Sequence, residues 1–145
     1  MRAVVQRVKR AELTVNGEPV SQIRNGLVVF FGVKTGDTTA QAEYLAGKIA
    51  RLRIFEDENG KMNRCIKEEN GEVLFVSQFT LYGDASHGNR PSFTQAARGE
   101  EAEPLYEYAA EKLRSLGVPV RMGVFSADMK IAQVNDGPVT ILLEI

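Results

Sequence analysis

The sequence predicts a compact α/β domain of mainly antiparallel or mixed sheet carrying two main helices. Three observations predict it. Two segments, one opening at Thr38 and one around Pro104, place apolar side chains at helical spacing, and each lies between runs of β-branched and aromatic residues. The strand-like runs number roughly seven or eight. The chain has 145 residues, 43% hydrophobic and 26% charged, which suits one domain, 1–145, with a real core and no linker, repeat or low-complexity stretch.

Arg2 to Arg10 mixes Val4, Val5 and Val8 with polar residues and reads as a strand held in a sheet from its first residues. Leu13-Thr14-Val15, then Asn16-Gly17, then Glu18 onward reads as a hairpin with a tight primed turn. Pro19 puts its second arm at an edge or gives it an irregular start. Leu27 to Val33 is nearly all apolar, the pattern of a central strand covered on both faces. Thr38 with Gln41 makes a capping box, after which Ala42, Leu45, Ala46, Ile49 and Leu52 share a helical face. Gly47 inside this helix reads as a close packing point.

Phe55 to Lys61 reads as a polar, solvated turn, since the calcium-loop spacing is absent. Met62 to Ile66 is a short strand in which Cys65 packs. Val73 to Leu81 begins apolar and ends in Ser77, Gln78 and Thr80. That polar end either satisfies a sheet edge or presents hydroxyls, an amide and free N–H groups to a ligand. Gly83 to Pro91 is a Gly-, Ser- and Asn-rich loop with His87 and Arg90, which either meets phosphate or is simply exposed. The second helix starts near Pro104, buries Ala102, Leu105, Tyr106, Ala109, Leu113 and Leu116, and ends at Gly117. Val120 to Phe125 and Met129 to Val134 are strands joined by a turn at Ser126-Ala127-Asp128. Asn135-Asp136-Gly137-Pro138 is then either a hairpin turn or a rigid recognition loop with a cis bond before Pro138.

Charge and composition narrow the function. Eighteen Lys+Arg against nineteen Asp+Glu give a formal charge of -1, so nucleic-acid binding requires a local patch. The single cysteine excludes an internal disulfide and fits a reducing compartment. Charged residues break every apolar run that a signal peptide would need, and no run spans a bilayer, so the expectation is a soluble, cytoplasmic protein. One histidine, His87, is too few for many metal sites, and neither a serine-hydrolase elbow nor a phosphate-cradling glycine loop is present. No metal or cofactor is expected. Ester hydrolysis fits this poverty, because an activated ester needs little beyond a placed water and donors for the developing oxyanion. Thr80, an internal threonine with no base beside it, ranks as a positioning group ahead of a nucleophile.

Several stretches together carry a family resemblance: Met1 to Val8, Leu52 to Asp57, Ser77-Gln78-Phe79-Thr80, Arg90-Pro91-Ser92-Phe93, Ala127-Asp128-Met129 and Asn135 to Thr140. Along essentially its whole length the chain resembles D-aminoacyl-tRNA deacylase, the family once called D-tyrosyl-tRNA deacylase. The resemblance implies a barrel-like fold and removal of D-amino acids esterified to the 3′-terminal adenosine of tRNA. Glycine mischarged on tRNA(Ala) is implied as a further substrate. It also implies a homodimer in which Gly137 and Pro138, joined by a cis bond, reach across the interface. Their carbonyls would hold the substrate's α-amino group and exclude an L side chain. It places Ser77, Gln78, Phe79 and Thr80 around the scissile ester and Phe125 and Met129 beside the adenosine. Arg7 would secure the N-terminal strand or catalytic loop, and His87 and Arg90 would touch tRNA. Ser126 stands where the family commonly has glycine, Arg64-Cys65 where a less charged residue and serine are frequent, and His87 where lysine is frequent. The competing readings are a deacylase acting mainly on mischarged glycyl-tRNA and a non-catalytic RNA-binding module using Arg2, Arg7, Lys9, Arg10 and Arg90.

Overall fold

The strand Arg2–Val15 (β1) is the spine of the sheet, in a computed structural model describing residues 1–145. The reading of Arg2 to Arg10 was too short: Ala11 and Leu13 keep their side chains buried and the strand runs to the turn. Asn16 and Gly17 both take positive φ, 52° and 83°, the geometry of a type I′ turn. They lead into Glu18–Ile23 (β2), an edge strand with a bulge opposite Leu13/Thr14, next to Pro19. Gly26–Gly32 (β3) pairs antiparallel with β1 through Arg2–Val8. It also pairs in parallel with Glu72–Ser77 (β6), which in turn pairs in parallel with Val120–Met122 (β7).

Two faces of this sheet are filled differently. Leu27, Val29, Phe31, Val73 and Phe75 join the main core beneath the helices Thr39–Arg51 (α1) and Gly99–Ser115 (α2). Val28, Leu74 and Val76 join a second cluster with Val8, Ala11, Leu13 and Ile23. The expectation that β3 is covered on both sides therefore holds. The second cluster closes because the far half of β1, with β2 and the long strand Met129–Glu144 (β8), curls back over that face, giving a barrel-like shape. Tyr106 of α2 stacks on Phe75 with centroids 5.1 Å apart and donates its hydroxyl to the Phe75 carbonyl at 2.7 Å.

Helix α1 has the predicted capping box: Thr38 Oγ1 accepts from Ala40 N–H, and Gln41 Oε1 accepts from Thr38 N–H at 2.9 Å. Gly47 is buried, and the nearest atoms an added Cβ would meet belong to the guanidinium of Arg51, at 3.0 Å, the end of a flexible side chain rather than packed backbone. Helix α2 begins at Gly99, well before Pro104, which sits inside it on the exposed side. Its C-terminus is a Schellman cap, with Gly117 N–H bonded to the Arg114 carbonyl and Val118 N–H to the Leu113 carbonyl. Phe55–Glu56 (β4) and Met62–Arg64 (β5) form a small separate hairpin. The stretch from Phe55 is thus only partly a polar turn, because Phe55 is buried. No helix is long and apolar enough to cross a membrane.

Candidate active site

The apolar run from Val73 stops being a strand at Ser77, earlier than its sequence implies. Gln78 N–H still bonds the Phe31 carbonyl at 2.8 Å, and the chain then tightens into a 3-10 turn, Phe79–Tyr82. Gly32, at the end of β3, makes room for this. A Cβ there would lie 3.0 Å from the Gln78 carbonyl oxygen and 3.1 Å from Leu81 Cβ. The first bonded donor of the turn is Leu81 N–H, to the Gln78 carbonyl. The N–H groups of Phe79 and Thr80 precede it and stay free for a ligand. Gln78 Nε2 donates to Thr80 Oγ1, which holds both side chains but does not make the hydroxyl a better nucleophile.

A cavity of about 400 Å³ opens beside this turn. Ser77, Gln78 and Phe79 line it, together with Phe125 and Met129. These are residues the sequence placed at the site. Thr80 lies outside the wall, exposed. Phe125 is not on a strand, since β7 ends at Met122; its ring packs at a tilt on Tyr106, 6.0 Å between centroids. Gly123 accepts the Met129 thioether so closely that a Cβ would sit 2.7 Å from its sulfur. Ser126, also in the wall, has φ 62°, the left-handed region that favours glycine, which gives a physical reason for the glycine common there in the family. Ala97 and Gly99 also line the cavity. Sequence reasoning missed them, because small residues just before and at the start of a helix give no local signal.

Arg2 was also missed in this role. Its Nη1 donates to the Leu81 carbonyl at 2.9 Å, Nε pairs with Glu144 at 2.8 Å, and the guanidinium lies 4.7 Å from the Tyr82 ring centre. It therefore fixes the far end of the 3-10 turn. Burial, with Asp37 adding to it, pushes the Tyr82 phenol up to about 12.

The second signature is neither a hairpin turn nor a free loop. It is a bulge within β8: Asn135 pairs with Val8 and Thr140 with Gln6, so the intervening residues bow out of the ladder. The Gly137–Pro138 bond is cis, and both residues are exposed. Arg7, 4% exposed, holds the bulge from behind. Its Nε donates to the Asp136 carbonyl at 3.0 Å and Nη1 to the Ile54 carbonyl at 2.6 Å. The Asp136 carboxylate lies 3.3 Å from Nε and also pairs with Lys9. On the other flank Gln6 Nε2 donates to Thr140 and Gln6 Oε1 accepts from Gln133.

Within one chain the two signatures do not meet. Ser77 aligns through Phe31 with Ala3, whereas the bulge lies opposite Arg7. They are separated by about 13 Å along β1 and by three inter-strand spacings, about 14 Å, across the sheet. Neither Gly137 nor Pro138 lines the cavity. His87 and Arg90 stand exposed on a loop whose ends are tied by the Asp84–Ser92 bridge, also away from the cavity wall.

Comparison with known proteins gives a consistent result. The sequence profile described as D-Tyr-tRNA(Tyr) deacylase matches residues 4–144. The D-aminoacyl-tRNA deacylase of Symbiobacterium thermophilum is 59% identical over 144 residues, covering 99% of this chain and 95% of that protein. Its counterpart in Halalkalibacterium halodurans is 54% identical, covering 99% of both. Among solved structures, the c-Myc DNA unwinding element binding protein superposes with a TM-score of 0.93 at 43% identity, over 100% of this chain and 99% of that one. A probable eukaryotic D-amino acid tRNA deacylase superposes with a TM-score of 0.87 over 99% and 98% of the two chains. Its identity is 18%, so it speaks to fold alone.

Proposed function

Because this chain belongs to the D-Tyr-tRNA(Tyr) deacylase family and hydrolyses the ester bond of D-aminoacyl-tRNA, we propose that the cavity beside Ser77–Thr80 receives the 3′-terminal adenosine ester. The observation that carries this reading is the pair of free N–H groups, Phe79 and Thr80, beside a largely apolar cavity of nucleoside size. Phe125 and Met129 flank the adenosine. The ester carbonyl oxygen lies against the two N–H groups, which stabilise the negative charge that grows on it. Water adds to the carbonyl carbon, assisted by the ribose 2′-hydroxyl. The bond to the ribose 3′-oxygen breaks, and that oxygen takes up a proton. Ser77, Gln78 and Thr80 are non-ionisable and serve as positioning groups, so no protein base is needed.

Selection between enantiomers needs a second copy of the chain, since the bulge and the cavity are apart within one. In the homodimer, Gly137 and Pro138 of one subunit reach the cavity of the other. Their carbonyls accept from the substrate ammonium and leave room for a D side chain to point outward. An L side chain collides with a main chain that Arg7 keeps stiff. Glycine has nothing to collide, so glycyl-tRNA is also a substrate. The test is a paired assay on tRNA carrying D-tyrosine, L-tyrosine or glycine, without added cofactor. Release of D-tyrosine and glycine much faster than L-tyrosine is expected; equal rates for the two enantiomers refute this account of selection.

A further inference from the structure

Phe79 and Phe93 are 55% and 38% exposed, and they meet edge to face with ring centres 5.2 Å apart at 66°. Such a contact leaves the outward faces of both rings in water, a costly arrangement for two large apolar groups. Phe93 is nevertheless held in place. Asp84 and Ser92 exchange a pair of backbone hydrogen bonds, both 2.8 Å, immediately before it. Ala96 N–H bonds its carbonyl at 3.0 Å. Gly83 gives its ring space, since a Cβ at that position would lie 3.0 Å from Phe93 Cε1. Phe79 belongs at once to this pair and to the cavity wall, so the pair is continuous with the cavity.

We infer that Phe79 and Phe93 form a stacking platform for the nucleobase on the 5′ side of the terminal adenosine. The inference rests on the assignment of the cavity to that adenosine. The 3′ end of tRNA is single-stranded, and unpaired bases stack on exposed aromatic rings whatever their identity. Arg90 and Arg98, exposed on either side of Phe93 in the sequence, supply positive charge for the intervening phosphates. The platform explains how a chain of net charge -1 grips a polyanion near its reactive end without a broad basic field.

The test measures inhibition of D-tyrosyl-tRNA hydrolysis by adenosine and by cytidylyl-adenosine, for the parent protein, Phe93→Leu and Phe93→Tyr. The parent is expected to bind the dinucleotide about five- to a hundred-fold more tightly than adenosine, the range of one base–aromatic stack. Phe93→Leu should abolish that difference while leaving inhibition by adenosine unchanged, and Phe93→Tyr should keep it. Equal binding of the two inhibitors by the parent overturns the inference, and this comparison needs no variant. Equal weakening of both inhibitors in Phe93→Leu also overturns it, as does conversion of a sedimenting dimer to monomer, which would mean that a second copy covers the rings. Complete failure of adenosine to inhibit refutes the cavity assignment itself, a result separable from the others.

Discussion

Replacing Arg7 should loosen the bulge and weaken the fold by an amount that its contacts allow to be worked out. The guanidinium donates to two carbonyls, Asp136 and Ile54, that lie on segments far apart in sequence. Its ion pair with the Asp136 carboxylate is partly shielded, whereas that with Glu56, at 3.7 Å to a largely exposed side chain, adds little. Each buried hydrogen bond from a charged donor is worth about 1.5–3 kcal/mol. Arg7→Met removes both and leaves the two carbonyls without their donor, while the Asp136 carboxylate keeps only its pairing with Lys9, a loss of about 3–5 kcal/mol. Arg7→Lys keeps the charge but lacks the fork, so one carbonyl stays unsatisfied and the loss is about 1.5–3 kcal/mol. Against a total stability of about 5–15 kcal/mol, the lysine variant should fold and the methionine variant should stand near threshold. Urea unfolding measures both losses, and the ratio of D- to L-tyrosine release should fall in the lysine variant as the main chain yields. An Arg7→Met protein within about 0.5 kcal/mol of the parent, with its enantiomer ratio intact, would refute the reasoning.

Three other outcomes are expected. Thr80→Ala should retain measurable deacylation, because Thr80 has no base beside it; complete loss with the fold intact, together with an acyl-protein adduct trapped in the parent, would identify a nucleophile instead. Ser126→Gly should raise stability by about 0.5 kcal/mol, since relief of the left-handed backbone slightly outweighs the added freedom of the unfolded chain; a lower melting temperature would contradict it. The Tyr82 phenol is raised from about 10 to about 12, so its neutral form contributes stability that is complete below pH 10 and is lost as pH rises through 12. Melting temperatures of Tyr82→Phe should therefore fall less steeply than the parent's above pH 10, and parallel curves would count against this assignment.

Features set by neighbours in the sequence were legible there. The Thr38–Gln41 cap, the Asn16-Gly17 turn and the Gly117 terminus each depend on residues within one turn of one another. The doubly covered β3 was visible because an unbroken apolar run has few other uses. Features set by distant chain were not legible. Ser77 ends its strand because Gly32 clears a space from a different strand, and the apolar Phe79 and Leu81 give no hint of the 3-10 turn. Pro104 suggested a helix start, yet an exposed proline is tolerated inside α2 once that helix is packed on the sheet. Asn135 to Pro138 carries every mark of a reversal, but the continuous pairing of β8 with β1 on both sides overrides it. Of the candidate site residues, Ser77, Gln78, Phe79, Phe125 and Met129 line one cavity, whereas Thr80 does not. The separation of Gly137 and Pro138 from that cavity emerges only when β1 is traced rung by rung.

The ladder that joins Arg2 to Glu144 makes the last pairing in sequence a partner of the first. Closing it demands that nearly the whole chain be gathered before β8 can dock, so contacts of this fold are dominated by remote partners and assembly should be slow. Until β8 arrives, Met129 is missing from one wall of the cavity and the Gly137–Pro138 bulge has no strand to bow from. The cavity wall and the bulge therefore both depend on the docking of one strand.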